Sequence, residues 1–244
     1  MKDVNPKYCI IDAGNTQVKV ADFQHDELVR LAVIPNEEQQ KIQETLLERK
    51  ESISIFSSVR SKAENKIFIN YLNPDVVLTN ETPLPISIED YRTPRTLGVD
   101  RIANVVAARH YSNTDNALVV DIGTCITIDL ILKDRYQGGS ISPGYLMRLK
   151  AMNHFTGELP LLELESFDSY IGKSTKESML AGINLGIQSE ISQFIHFYTQ
   201  NFAPLTIFLT GGDLKRFEIP LKNSIFADNN FTIKGLYLIL KHNV

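Results

Sequence analysis

Alternating apolar and amphipathic runs along the chain predict an alternation of strands and helices. Short apolar or alternating runs predict three short strands at 7–12, 17–23 and 28–34, which Gly-Asn and His-Asp turns join into an antiparallel meander. A helix is predicted in NEEQQKIQETLLERK, because Asn36 is a capping residue and acidic side chains precede the apolar positions. The pattern then predicts a strand at 52–58, a helix at 62–72, a strand at 75–79, a proline-containing loop at 80–94 and a helix at 98–111.

The second half repeats this order of elements. Strands are predicted at 116–122, 125–132 and 135–142, and helices follow them. The longest helix is predicted at 174–202, where Ser174 and Glu177 form an S-x-x-E capping box. A buried strand then reaches the Gly211-Gly212 turn, and a final helix covers about 231–242. Two similar halves predict a two-lobed α/β protein, with lobes at 1–112 and 113–244 and a binding site in the cleft between them.

Each half places Asp-x-Gly directly after its first strand, in IIDAGNTQVKVADF (10–23) and VVDIGTCITIDLI (119–131). Glycine allows a turn with positive φ and a close approach to a ligand, and the amides of such a turn can bind phosphate oxygens. An aspartate there would repel a polyphosphate unless a cation lay between them. A single Asp-x-Gly is usually an ordinary turn cap. Two copies in matching halves instead predict a metal–nucleotide site that holds phosphates from both sides.

Composition and charge narrow the functional classes. The 244 residues are 43% hydrophobic and 22% charged, which is typical of a globular protein with one large domain or two packed halves. The net charge of −4 and the pI near 5.8 argue against binding to nucleic acid or to an anionic membrane as the main activity. No apolar run approaches the roughly 20 residues that cross a bilayer, and the first residues lack a signal-peptide pattern. Cys9 and Cys125 lie in apolar runs without ligand spacing, which favours buried thiols in a reducing cytoplasm.

Six motifs, spread in order over most of the chain, closely resemble those of type III pantothenate kinases. They are DAGNTQVK, LGVDR, DIGTCITID, GGSISPG, STKESMLAG and LTGGD. The resemblance implies an α/β fold of two duplicated ribonuclease-H-like lobes with a central cleft, as in the actin-like ATPase superfamily. It also implies ATP-dependent phosphorylation of pantothenate to 4′-phosphopantothenate, the first committed step toward coenzyme A. A homodimer, magnesium and a monovalent cation, potassium or ammonium, are further implications.

The resemblance assigns the nucleotide and metal residues. Thr124 matches a second ATP contact, and Asp121 matches the position that holds the monovalent cation. The motif that matches the first ATP-phosphate loop consists of Asp12, Ala13, Gly14, Asn15, Thr16, Gln17, Val18 and Lys19. Within it, Asn15 and Thr16 are apt hydrogen-bond donors. Lys19 would place a positive charge near the phosphates, or would be an ordinary solvated strand residue.

Asp100 matches the proton acceptor of the family. Phosphoryl transfer to an alcohol needs a base within hydrogen-bond reach of the hydroxyl group, and a carboxylate can serve. Taken alone, an aspartate at a helix start would be a capping residue. The flanking motifs favour the catalytic interpretation. GGSISPG (138–144) is predicted to shape a tight connection into the following helix, without direct chemistry.

Pantothenate carries a carboxylate, so a cation such as Arg101 is apt to bind it. Thr175 is predicted at the first turn of the long helix, where a hydroxyl and free amides favour an anion, although it could be a plain helix residue beside the Ser174 cap. The full set that the resemblance assigns to substrate binding is Tyr91, Gly98, Val99, Asp100, Arg101 and Thr175.

Two alternatives to pantothenate phosphorylation remain at this point. One is a kinase for another small alcohol, which would carry a different acceptor loop in place of LGVDR. The other is a non-catalytic regulatory relative that keeps the fold and binds a nucleotide or a partner. Loss of Asp100 or Asp121 would favour the second alternative, and both residues are present.

Overall fold

A computed structural model describes residues 7–165, 167, 169–217 and 225–244. The chain forms two compact units. One comprises Met1–His110 together with Phe231–Val244, and the other comprises Tyr111–Asn230. Among the described residues, no helix has both the length and the apolar character needed to span a membrane.

The first unit is a five-stranded sheet with helices. Its elements in chain order are β1 (Tyr8–Ala13), β2 (Gln17–Gln24), β3 (Glu27–Pro35), α1 (Gln39–Leu47), β4 (Ile53–Ser58), α2 (Lys62–Leu72), β5 (Val76–Val77) and α3 (Val99–Tyr111). The strand order is β3-β2-β1-β4-β5, with antiparallel pairing in the β1–β2–β3 meander and parallel pairing of β1 with β4 and of β4 with β5.

The second unit repeats this topology. Its elements are β6 (Asn116–Ile122), β7 (Cys125–Leu132), β8 (Arg135–Pro143), α4 (Tyr145–Phe155), α5 (Thr175–Phe202), β9 (Leu205–Thr210) and β10 (Ile225–Ala227). The strand order β8-β7-β6-β9-β10 matches the first sheet strand for strand, with the same antiparallel and parallel pairs. The predicted duplication of an α/β unit is therefore confirmed.

One face of each sheet carries a closed apolar core. In the first unit, alternate residues of β1 and β2 pack with Phe56 and with the buried residues Ile42 and Leu46 of α1. The core of the second unit joins β6, β7 and β9 to the buried face of α5. Since side chains alternate across a strand, the residues between these core positions face the opposite side of each sheet. Asp12 and Asp121 are both on that opposite face.

The last helix, α6 (Phe231–Asn243), packs on the first unit. The ring of Tyr237 stacks on Phe23 of β2 at 4.2 Å, and its hydroxyl donates to Asp26 at the β2–β3 turn. A Cβ on Gly235 would lie 1.9 Å from the carbonyl oxygen of Ala103, so only glycine lets α6 approach α3 this closely. The predicted lobe boundary, with 113–244 as one lobe, therefore assigned this helix to the wrong side, because its apolar face completes the first unit.

Most predicted elements match the structure, with local differences at helix starts and short strands. Helix α1 begins at Gln39 rather than after a cap at Asn36, and its N-cap, Glu38, makes no side-chain capping bond. The predicted strand at 75–79 is reduced to β5, and β10 was not predicted. Both strands are short parallel edge strands, whose two or three residues give no periodic signal.

A buried ion pair fastens α1 to β2. The guanidinium group of Arg49 is 4% exposed and binds the carboxylate of Asp22 through two nitrogens, each at 2.7 Å. Arg49 also donates to the carbonyl oxygen of Thr45, so the end of the helix is held against the sheet.

Replacing Arg49 by methionine should lower the free energy of unfolding by about 3 kcal/mol, because the Asp22 carboxylate would remain in a partly buried position without its partner. Urea titration at pH 7 measures this loss. The double variant Arg49→Met/Asp22→Asn should recover part of it, since no unpaired charge remains. A single variant as stable as the original chain would show that the pair contributes nothing.

Candidate active site

The first Asp-x-Gly turn joins β1 to β2. Ala13 pairs with Val18, so four residues, Gly14–Gln17, form the connection, and the N–H of Gly14 donates to the carbonyl oxygen of Gln17 at 3.0 Å. Asn15 and Thr16 are exposed at its tip. The predicted phosphate loop is thus a closed, outward-facing turn at the carboxyl end of a buried strand.

The glycines of the two Asp-x-Gly turns do not have the positive φ that was expected of them. Among the glycines that the structure describes, Gly138 and Gly211 have positive φ, and Gly14 and Gly123 do not. A Cβ on Gly14 would lie 3.2 Å from the Gln17 carbonyl oxygen, a close contact that a small shift of the backbone would relieve. Backbone strain therefore does not explain glycine in these turns.

A residue that the sequence assigned to helix capping instead contacts this turn. The side-chain amide of Asn36 donates to the carbonyl oxygens of Gly14 at 3.3 Å and Asn15 at 2.8 Å. Its backbone N–H donates to the carbonyl oxygen of Thr16 at 3.1 Å. Three successive carbonyl oxygens of the turn are thus held by one residue.

Three polar side chains share one face of the first sheet at the end of β1. Asp12 is directly opposite Lys19 of β2 and Ser57 of β4 in the strand register. Ser57 is 1% exposed, and within the described part of the chain its hydroxyl oxygen has no hydrogen-bond partner. A buried unpaired hydroxyl is costly, and native structures keep few of them.

The second Asp-x-Gly turn has the same position in the second unit but is one residue shorter. Ile122 pairs with Ile126, and the N–H of Gly123 donates to the carbonyl oxygen of Cys125 at 3.0 Å. Thr124 is exposed at its tip. The N-cap residue of α4, Gly144, lies against the turn, and its N–H donates to the Thr124 carbonyl oxygen at 3.0 Å. Of the segment 138–144, which was predicted to shape a tight connection, residues 138–143 belong to β8, and Gly144 alone connects that strand to α4.

The cross-strand neighbours of Asp121 are hydroxyl residues. Thr127 of β7 and Thr210 of β9 are opposite Asp121 in the register, and they are 9% and 1% exposed. Thr127 thus has the position that Lys19 has in the first unit, and Thr210 has the position of Ser57. After β9, Gly211 turns the chain with a φ of 105°, and any Cβ there would lie 2.2 Å from the Ile122 carbonyl oxygen.

The start of α3 presents the predicted catalytic carboxylate. Asp100 is half-buried in the first turn, and its Oδ1 accepts the N–H of Arg101 at 2.8 Å. A Cβ on Gly98 would lie 2.5 Å from that same Oδ1, so a larger residue at position 98 would clash with the carboxylate in its present position. Arg101 is 5% exposed, whereas Val99 and Tyr91 are half-buried.

Thr175 is exposed at the first position of α5. The Ser174 hydroxyl caps the helix by accepting the N–H of Glu177 at 3.2 Å, as predicted. The Glu177 carboxylate accepts the N–H of Lys173 at 2.7 Å instead of that of Ser174, so the predicted capping box is shifted by one residue on its return side. Glu177 thus binds the turn before the helix through both its backbone N–H and its carboxylate, and these two bonds fix where the helix begins.

The buried thiol of Cys9 is not suited to catalysis. Burial, followed by the nearby Asp22 carboxylate, raises the pKa of the Cys9 thiol to about 12, against the opposing influence of Arg49. Such a thiol stays protonated and is not a nucleophile. Across the described ranges, no group of three or more His, Cys, Asp or Glu side chains could hold a metal ion by itself.

Comparison with known proteins identifies the family of this chain. The sequence model of the type III pantothenate kinases matches residues 8–196. A protein named type III pantothenate kinase from Christiangramia forsetii is 42% identical over 240 residues, which cover 96% of this chain and 98% of the relative. The chain belongs to the type III pantothenate kinase family. Because the members of this family are small-molecule kinases, the chain is a small-molecule kinase.

Solved structures support the fold assignment of this type III pantothenate kinase family member. A Campylobacter jejuni protein described as a Baf family transcriptional activator has a TM-score of 0.60 at 23% identity, with 96% of this chain and 98% of that chain covered. An inorganic polyphosphate/ATP-glucomannokinase from an Arthrobacter strain has a TM-score of 0.55 at 16% identity, with 98% and 100% covered. At these identities the likeness concerns the fold alone.

Sequence reasoning missed four polar residues beside the two turns. These are Asn36, Ser57, Thr127 and Thr210. The hydroxyl residues could have been found by aligning the strands of the two halves, because polar residues at matching positions of otherwise apolar strands are unusual. Asn36 gave no such signal, since an asparagine ahead of a helix is an ordinary cap.

Proposed function

We propose that this chain transfers the γ-phosphoryl group of ATP to the hydroxyl of pantothenate and releases ADP and 4′-phosphopantothenate, the first step toward coenzyme A. Membership of the family across nearly the whole chain is the observation that carries this proposal. The positions of Asp100 and of the two turns agree with it. The reaction belongs to the cytoplasm, which the free thiols of Cys9 and Cys125 suit.

Each of the two turns offers groups suited to the phosphates of ATP. The exposed N–H groups and side chains of Asn15 and Thr16 supply donors in the first unit, together with the ammonium group of Lys19. Thr124 supplies a hydroxyl in the second. Gly14, which has no side chain, would admit a phosphate close to the backbone, whereas Ala13 before it is buried in the core and would only hold the turn in place. Gln17 and Val18 continue the turn into β2.

Magnesium would be held at Asp12. The carboxylate of Asp12 and the buried, unpartnered hydroxyl of Ser57 provide oxygen atoms on one face of the sheet, and oxygen is the ligand that magnesium prefers. One carboxylate is enough, because magnesium keeps several waters and takes further oxygens from substrate phosphates. When bound, the ion offsets the charge that develops on the transferred phosphoryl group.

A monovalent cation would be held at Asp121. The carboxylate and the hydroxyls of Thr127 and Thr210 form an all-oxygen set suited to potassium. In the first unit, the residue opposite Asp12 is Lys19, which brings its own positive charge. The matching residue opposite Asp121 is the neutral Thr127, so an exchangeable potassium or ammonium ion would supply that charge to the second turn. The register of the two sheets supports this pairing of roles.

Asp100 would act as the base. As the pantothenate hydroxyl oxygen forms its bond to the γ-phosphorus, the bond from that phosphorus to the ADP oxygen breaks and the hydroxyl proton passes to the Asp100 carboxylate. The transition state is largely dissociative, so the proton moves late and positioning of the hydroxyl matters more than basicity. The glycine at 98 and the N–H of Arg101 fix the carboxylate for this role.

The carboxylate of pantothenate would be bound by cationic and helix N-terminal groups. Arg101 offers a planar guanidinium group, and Thr175 offers its hydroxyl and the free amides at the start of α5. Tyr91, Gly98 and Val99 would complete the substrate contacts. We include a homodimer in the proposal, because the family resemblance implies one.

A coupled ADP-release assay tests the function. The purified chain should phosphorylate pantothenate with Mg·ATP in potassium buffer and should show little activity on a panel of sugars and small alcohols. Preference for another alcohol would support a kinase of different specificity. Nucleotide binding without turnover of any acceptor would support a regulatory relative, and either result would overturn the proposal.

A further inference from the structure

The contacts of Asn36 assign it a task that helix capping does not explain. Its amide reaches back to the β1–β2 turn and leaves α1 to begin without a side-chain cap. Its Oδ1 atom is buried and, within the described part of the chain, has no hydrogen-bond partner. Exchanging the nitrogen and oxygen positions of the amide would not improve these contacts, since Oδ1 would then face the carbonyl oxygens of Gly14 and Asn15. Two local rules of stability are broken at one residue, and such sites are typically functional.

The geometry of the peptide group shows what these contacts achieve. The Gly14–Asn15 and Asn15–Thr16 peptide groups are trans, so each C=O points opposite to the N–H of the same group. Asn36 holds the carbonyl oxygens of both groups. The N–H groups of Asn15 and Thr16 are thereby turned away from Asn36, on the exposed side of the turn. Adjacent N–H groups that point the same way form an anion-binding concavity.

We propose that Asn36 is a positioning residue for nucleotide binding, whose amide holds the Gly14–Thr16 turn so that two backbone N–H groups face a phosphate. The inference rests on the proposed function, because it takes this turn to be the ATP-phosphate loop. Asn36 itself is held in place through its backbone. Its N–H binds the carbonyl oxygen of Thr16 at 3.1 Å, and its carbonyl oxygen accepts from the Gln39 side chain at 2.6 Å.

Two substitutions separate the amide donor from mere side-chain volume. Asn36→Asp keeps the side-chain volume but sets a carboxylate against two carbonyl oxygens, whereas Asn36→Ala removes the donor together with that volume. We expect the Kd for ADP with magnesium, measured by isothermal titration calorimetry, to rise roughly tenfold in Asn36→Ala and up to about 100-fold in Asn36→Asp. The KM for ATP should rise in parallel, while the KM for pantothenate stays unchanged.

Asn116→Ala is the matched control. The amide of Asn116 likewise donates to the backbone, in its case to one carbonyl oxygen, that of Phe202 at 2.9 Å, but it lies at the opposite end of β6 from Asp121. This variant should lose stability without a change in the Kd for ADP. Circular dichroism follows folding in all variants, and Asn36→Ala decides the matter if Asn36→Asp does not fold.

The outcomes distinguish this inference from the proposed function. Wild-type affinity for ADP in both Asn36 variants would overturn the positioning role and leave pantothenate phosphorylation untouched. If the unaltered chain bound ADP but phosphorylated no pantothenate, and the variants bound ADP weakly, the positioning role would stand and the function would fail. Failure of the unaltered chain to bind ADP would overturn both.

Discussion

Replacing Asp100 by asparagine should lower the turnover of pantothenate by about 10²–10⁴-fold, which is the usual contribution of a general base. Asparagine cannot take the hydroxyl proton, but its Oδ1 can still accept the Arg101 N–H that binds Asp100 at 2.8 Å. The start of α3 should therefore be preserved. Steady-state kinetics should show the loss in kcat, with the KM for ATP within a few-fold of the original value.

Asp75→Asn provides the control for this experiment. The Asp75 carboxylate also accepts a backbone N–H, that of Ser54 at 2.7 Å, but it lies where β4 begins rather than where it ends. Its replacement should cost stability and leave kcat unchanged. If Asp100→Asn kept more than about a tenth of the original turnover, Asp100 would not be the base, and positioning alone would have to account for catalysis.

Replacing Asp121 by asparagine should make the enzyme nearly insensitive to potassium and reduce activity by about 10²–10³-fold. A carboxylate about 4 Å from a monovalent cation contributes on the order of 4 kcal/mol near a protein surface, and the neutral amide removes that attraction. The hydroxyls of Thr127 and Thr210 would remain, but they carry no charge. Titration of the rate with potassium chloride at constant ionic strength measures the effect.

The original enzyme should be activated by potassium and ammonium but not by sodium, whose smaller radius fits the same oxygen set less well. Asp115→Asn, an exposed carboxylate next to the start of β6, should keep the full response to potassium. Full activity of the unaltered chain in sodium alone would contradict a monovalent cation site at Asp121. An Asp121→Asn variant with normal potassium activation would place that site elsewhere.

The sequence predicts the strands and both Asp-x-Gly turns because their signals are local. Short apolar runs identify β1 and β6, alternation identifies β2 and β7, and the repetition of Asp-x-Gly places the turns at equivalent strand ends. Asp100 is likewise found at the start of a helix, as GVDR predicts. Each of these inferences needs only neighbouring residues, so no knowledge of the tertiary structure is required.

The errors have different causes, because a tertiary contact can override a local preference, a short turn can close without positive φ, and a local pattern does not name its packing partner. Asn36 has the sequence of a helix cap, but its amide is captured by a turn 21 residues away. The glycines at 14 and 123 have the sequence of left-handed turns, but four- and three-residue connections close without positive φ. The amphipathic pattern of α6 indicates that one face is buried, yet not which sheet buries it.

The return of α6 to the first sheet has a consequence for how the chain is made. During translation, the ribosome releases the residues up to His110 well before those of Phe231–Asn243. Domains generally form as their residues emerge, so the later unit can fold while the earlier one still exposes the sheet face that Tyr237 will cover. The half of the molecule that is synthesised first is therefore the half that matures last, and it is the half that carries Asp100.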